Sequence, residues 1–70
     1  MKTSIKNRIL AYLKTGETLT ALEALFKFGC YRLSARIYEL RADGWNIVTL
    51  YVTETREDET LRYAEYKLIV

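Results

Sequence analysis

The sequence predicts an α+β fold, three helices followed by a C-terminal two-stranded β-hairpin. Three observations carry this. Apolar residues recur at helical spacing as far as Gly44 and then alternate with a period of two. Glycines stand at positions 16, 29 and 44, each just beyond a helical run, where a residue able to take positive φ closes a helix. Thr20-Ala21-Leu22-Glu23 has the capping-box spacing, in which hydroxyl and carboxylate satisfy each other's orphan N–H groups.

The first helix starts after Thr3 or Ser4, either of which can cap it. Ile5, Ile9, Leu10, Tyr12 and Leu13 form its apolar face, ringed by Lys2, Lys6, Arg8 and Lys14. Glu17-Thr18-Leu19 is too short for a helix and is read as a brief strand lying against the later hairpin. The second helix opens at the capping box. Leu22, Leu25 and Phe26 are assigned to its buried face, Ala21 and Ala24 to close packing, Phe28 to its end and Gly29 to its stop. With only Gly29 and Cys30 between them, the second and third helices read as a helix-turn-helix.

The third helix is assigned to about residues 31–43. Leu33, Ile37 and Leu40 fall on one buried stripe. At about 100° per residue, Tyr31, Ser34, Ala35, Tyr38 and Ala42 lie opposite, with Arg32, Arg36 and Arg41 on the flanks. Beyond Gly44, residues 45–53 and 61–69 are rich in β-branched and aromatic types. Ala64, Tyr66 and Leu68 should face the core and Tyr63, Glu65 and Lys67 face outward, with the polar stretch Glu54 to Thr60 as the hairpin tip. Helix, short strand, helix, turn, helix and hairpin in that order make a winged helix-turn-helix, in which the hairpin covers one open side of the bundle. Trp45 and Tyr12 are read as core residues, and Cys30 as a small buried hydrophobe.

Size and composition narrow the possibilities. Seventy residues suit one domain spanning 1–70, whose core supplies no more than about 3–5 kcal/mol of net stability. A single cysteine excludes an internal disulfide, and the absence of histidine argues against a zinc site, so no metal or cofactor is expected. No run approaches the roughly 20 apolar residues of a membrane span. No signal-peptide pattern opens the chain, which suits the cytoplasm. With no histidine to activate the cysteine and no glycine-rich phosphate loop, the chain is not expected to be an enzyme. The formal charge of +2 is small but unevenly spread: residues 1–50 carry +4 and residues 51–70 carry −2.

The run Leu19-Thr20-Ala21-Leu22-Glu23-Ala24-Leu25, then Phe28-Gly29-Cys30, Arg32-Leu33-Ser34-Ala35-Arg36-Ile37, Leu40-Arg41 and Gly44, closely resembles the small winged helix-turn-helix domain common in phages and prophages. The closing Arg62-Tyr63-Ala64-Glu65-Tyr66 is similar to that family's last strand. The resemblance implies double-stranded DNA as partner, a viral protein acting in the cytoplasm of a bacterial host, and a role in phage gene control or phage–host conflict. One departure concerns the wing. Relatives of this kind often have a glycine-rich basic tip, whereas here Glu54, Glu57, Asp58 and Glu59 face one Arg56. Either this wing points away from DNA or it binds something else.

In a helix-turn-helix the start of the second helix of the motif reaches base edges. Ser34 and Ala35 are therefore candidates for base contact, the serine by hydrogen bonding and the alanine methyl against thymine. Tyr31 and Arg32 stand where a helix N-terminus favours an anion. Arg36 divides between DNA and an internal pair with Glu23 or Glu39, and Arg41 reads as a surface charge. Lys27, Lys6 or Arg8 on the first helix, and Arg62 complete the candidate phosphate contacts, and Tyr38 is assigned to DNA, a dimer partner or water. The expected function is DNA binding in transcriptional regulation or DNA architecture, as monomer or homodimer. The alternative is a protein-interaction module, such as a phage inhibitor of a host defence protein, that uses Glu54, Glu57, Asp58 and Glu59 as its contact surface.

Overall fold

The computed structural model describes residues 4–69. The elements run α1 (Ile5–Lys14), β1 (Leu19–Thr20), α2 (Ala21–Phe28), α3 (Leu33–Ala42), β2 (Ile47–Arg56) and β3 (Glu59–Leu68). Of the two proposed first caps, Thr3 lies outside the described residues, as does Lys2. Ser4 caps α1, its hydroxyl accepting the Asn7 N–H at 3.2 Å. The capping box is present in full. The Thr20 hydroxyl accepts the Glu23 N–H and the Glu23 carboxylate accepts the Thr20 N–H, both at 3.1 Å. Thr20 is also the last residue of β1, which pairs antiparallel with β3 through Leu19 with Tyr66 and Thr20 with Glu65. One residue thus ends a strand and starts a helix.

The sheet is antiparallel in the order β1-β3-β2. The core gathers Ile9 and Leu13 of α1, Leu19 of β1, Ala24 of α2, Cys30 of the turn, Leu33, Ile37 and Leu40 of α3, and Ile47 and Leu68 at the base of the hairpin. Leu10, Tyr12, Phe28, Trp45 and Tyr66 pack around it, half-buried. Tyr12 and Phe28 join α1 to α2 edge to face, with ring centroids 5.8 Å apart.

Four features differ from the sequence reading. On α2 the buried face is not Leu22, Leu25 and Phe26: Leu22 is 63% and Phe26 80% exposed, while Ala24 is buried and Leu25 and Phe28 are half-buried. Residues 21, 24, 25 and 28 are as helically periodic as 22, 25 and 26, and the short helix turns the smaller stripe inward because α1 lies against Ala24 and Phe28. Ala21 itself stays exposed. Second, α3 begins at Leu33, not 31, so four residues rather than two form the turn. Arg32 at the N-cap has φ −131° and ψ 69°, outside the helical region. Gly29 bends the chain there at φ +64°, a conformation costly for any residue with a Cβ, and its N–H donates to the Leu25 carbonyl at 2.9 Å.

The remaining differences concern the wing. Its strands continue to Arg56 and resume at Glu59, so the tip is the pair Glu57-Asp58 rather than the whole stretch from Glu54 to Thr60. Glu57 takes φ +52°, the only positive value at a non-glycine among the described residues. Ten residues per strand at about 3.3 Å each make a ribbon of about 33 Å. Only the base of that ribbon covers the helices. From Leu50 outward it projects, and the molecule measures 46 × 24 × 20 Å.

Candidate nucleic-acid interface

The third helix is held from three sides. Leu33, Ile37 and Leu40 sink into the core, all but fully buried. Lys6 Nζ of α1 meets Asp43 Oδ2 at its C-terminal end, 2.6 Å apart. Arg41 Nε donates to the Ile47 carbonyl at 2.8 Å, and its Nη2 donates to the Thr49 hydroxyl at 2.9 Å. The Arg41 guanidinium also lies 6.0 Å from the Tyr66 ring centroid. Read from sequence as a surface charge, Arg41 is instead a tie between α3 and β2. The reversal at Gly44 (φ +103°) brings β2 back beside the last helical turn, a long-range consequence that no local pattern announces.

The opposite face of α3 is open. Ser34, Tyr38 and Ala42 are exposed, Tyr38 at 74%. Tyr31 (87% exposed) and Arg32 precede the helix, in the turn rather than in its first coil. Among the described residues no side chain caps the N-terminus of α3, leaving backbone N–H groups directed at that end. Two expected outward residues are less available. Ala35 is half-buried, and Arg36 is half-buried with its Nε 3.0 Å from Glu39 Oε1. The internal pair with Glu39 is therefore formed, and the one with Glu23 is not, because Glu23 is occupied in its cap. The Arg36 Nε–H is not aimed at that oxygen, so the contact is an ion pair without a directed hydrogen bond.

Arg8 and Lys27 come together around one aromatic pair. The Arg8 guanidinium is 5.6 Å from the Phe28 centroid and Lys27 Nζ is 5.5 Å from that of Tyr12. Both side chains are exposed, so the pair of cations forms a basic edge where α1 and α2 meet. Arg62 belongs to the wing, stacked 4.8 Å over Tyr51.

Of the acidic candidates, Glu54 is not a free contact group. Its Oε1 accepts the Tyr63 hydroxyl at 2.8 Å and its Oε2 lies 3.5 Å from Arg56 Nη2. The hydrogen bond to the Glu54 carboxylate raises the Tyr63 phenol above its usual value of 10.0. Glu57, Asp58 and Glu59 are exposed at the tip. Between the wing and the start of α2 lies an open groove of about 770 Å³, lined by Leu22, Leu61 and Tyr63 among others. Among the described residues no group of three or more Asp, Glu, His or Cys is placed to hold a metal ion, and no helix is long and apolar enough to cross a membrane.

A family model described as a winged helix-turn-helix domain matches residues 4–70. No curated protein and no solved structure matches the chain significantly.

Proposed function

We propose that this chain, which belongs to the winged helix-turn-helix domain family, binds double-stranded DNA with the open face of α3 in the major groove. The observation that supports this most is the division of α3 itself: one stripe all but fully buried, the other presenting Ser34 and Tyr38 beside Tyr31 and Arg32, exposed among the described residues. In this reading Ser34 and Ala35 meet base edges, and Tyr31 and Arg32 bring a phosphate to the uncapped helix start. Arg8 and Lys27 set the phosphate register from the α1–α2 edge, and Arg62 adds a contact from the wing. Arg36 joins them on leaving Glu39, a cheap exchange for a half-exposed pair. The biological setting is phage or prophage gene control in the host cytoplasm, as transcriptional regulator or architectural factor. Family membership weighs for DNA over a host defence protein as partner, and the engagement of Glu54 within the wing removes one of the acids on which that alternative relied.

The test is fluorescence anisotropy with a random-sequence duplex of about 30 base pairs. Five cations at phosphates give a log–log salt slope of about −4.5, so binding falls about five-hundredfold between about 50 and about 200 mM salt. Arg32→Ala should lower the slope by about one unit and weaken every sequence alike if Arg32 sits on phosphate. Absence of binding at the lower salt would refute the proposal.

A further inference from the structure

Among the described residues no strand covers the outer edge of β2, and its pattern specifies a partner. In an antiparallel ladder, alternate residues direct N–H and C=O toward the paired strand and away from it. The Asn46 carbonyl accepts the Ile69 N–H at 2.8 Å, which fixes the phase: even-numbered residues of β2 face β3 and odd-numbered ones face outward. The first outward carbonyl, that of Ile47, is taken by Arg41. Thr49, Tyr51, Thr53 and Thr55 follow, with outward N–H and C=O groups that no strand among the described residues reaches. Ile47 to Thr53 carries no charge, no proline and no glycine, and all but Leu50 are β-branched or aromatic. Natural edge strands are ordinarily blunted by a charge, a proline or a bulge. This one is not blunted before Glu54.

We propose that β2 pairs antiparallel with β2 of a second copy about a two-fold axis at Val52, joining the two sheets into one. That register sets Thr49 opposite Thr55 and Tyr51 opposite Thr53 on both sides of the axis, so every free outward residue exchanges bonds with another. An axis at Tyr51 would instead set Thr55 against Ile47, whose carbonyl already serves Arg41. On the helix side of the sheet the facing pairs are threonine with threonine and tyrosine with threonine. On the other side Val52 meets its own copy, Leu50 faces Glu54 and Val48 faces Arg56. No like charges oppose each other. Beyond Arg56, the same register carries Glu57 and Asp58 of the second copy alongside Ile47 and Asn46, where the Arg41 guanidinium lies. The acidic wing of each copy thereby reaches the basic helical half of the other, and the split of +4 and −2 along the chain becomes complementary under the two-fold. This complementarity selects a second copy as the occupant of the edge.

The experiment uses the full chain without DNA, so its outcome is separate from that of the DNA proposal. Sedimentation analysis over about 1 to about 200 μM should show the mass rising from 8.2 kDa toward twice that value. Hydrogen exchange should show amides 49, 51, 53 and 55 gaining protection as concentration rises. Thr53→Pro removes an outward N–H without costing the monomer a hydrogen bond, and Val52→Lys sets two ammonium groups face to face at the axis. Each should weaken the dimer by about tenfold or more. If Thr53→Pro fails to fold, Val52→Lys alone decides. A mass of 8.2 kDa at the highest concentration would overturn the proposal. So would a dimer that Val52→Lys leaves intact and that gives those amides no protection.

Discussion

Thr20 offers the sharpest test of how this small domain is held together. Its hydroxyl accepts the Glu23 N–H and the Glu23 carboxylate accepts the Thr20 N–H, both at 3.1 Å, and its backbone pairs with Glu65 in the sheet. Thr20→Ala removes the accepting oxygen for the Glu23 N–H but keeps the backbone N–H at position 20 that the Glu23 carboxylate accepts. A lost cap of this type costs about 1 kcal/mol, within a range of about 0.5–2. Set against at most about 3–5 kcal/mol for a core this size, that is at least about a fifth to a third of the stability. It corresponds to about 4–8 °C in Tm per kcal/mol. Urea titration followed by far-UV circular dichroism and by Trp45, the sole tryptophan, provides two probes of the same transition. Thr20→Ser should recover most of the loss. The double variant Thr20→Ala, Glu23→Ala should be less destabilised than the sum of the two single variants, because each removes half of one reciprocal pair. Strict additivity, or a serine variant no better than alanine, would refute the capping box as the device that starts α2.

Other substitutions test other parts. Arg41→Ala should cost about 1–2 kcal/mol, because it breaks a charge-assisted bond to a strand carbonyl and a bond to a hydroxyl, the exposed setting discounting both; Thr49→Val, which removes only the second, should cost less in the same urea titration. Glu57→Gly should stabilise by about 0.5–1 kcal/mol, since relief of about 1–2 kcal/mol at φ +52° exceeds the entropy penalty of glycine, and a Tm no higher than that of the parent would count against a strained tip. Phe26→Ser should change stability by less than about 0.5 kcal/mol despite the size of the side chain lost, as its 80% exposure requires. In tyrosinate absorbance, one phenol should ionise above the usual 10.0 and vanish in Tyr63→Phe. The sign follows from the bond: the folded protein holds the Tyr63 proton more tightly than the unfolded chain. Its contribution to stability is complete below the unfolded pKa and is lost as pH rises through the folded one.

The legible parts of this fold were those set by local chemistry. The capping box, the glycines after α2 and α3, the stripe of Leu33, Ile37 and Leu40 and the change of period after Gly44 each act within a few residues, and each appears where the sequence puts it. The brief strand ahead of α2 is present too, shifted to Leu19–Thr20. The misses needed distant partners. Leu22 and Phe26 form as regular a stripe as Ala24 and Phe28, and only the position of α1 decides which turns inward. No breaker marks Tyr31 and Arg32 as outside α3, and a tip of Glu57-Asp58 lacks the glycine or asparagine that would announce a two-residue turn. The open face of α3 was legible by angle alone for Ser34 and Tyr38. The partial burial of Ala35 and Arg36 was not, because it depends on how α3 is tilted against its neighbours.

The same architecture explains how α3 can leave large side chains in water. Its stability comes from Leu33, Ile37 and Leu40 beneath, Lys6 at one end and Arg41 reaching the sheet. None of these residues lies on the face that carries Tyr31, Ser34 and Tyr38. Substitutions on that face therefore meet no packing, and Tyr38→Ala should cost less than about 0.5 kcal/mol, whereas Ile37→Ala, which opens a cavity at a residue 1% exposed, should cost about 2–5 kcal/mol and consume most of the stability. A binding surface separable from the core in this way can change its target without endangering the fold. Such a surface is distinguished from mere exposed residues by one comparison: Tyr38→Ala and Arg32→Ala should lose DNA affinity while their urea midpoints stay with the parent. If affinity and midpoint fell together, the open face of α3 would be part of what holds the helix, and its assignment to DNA would lose its main support.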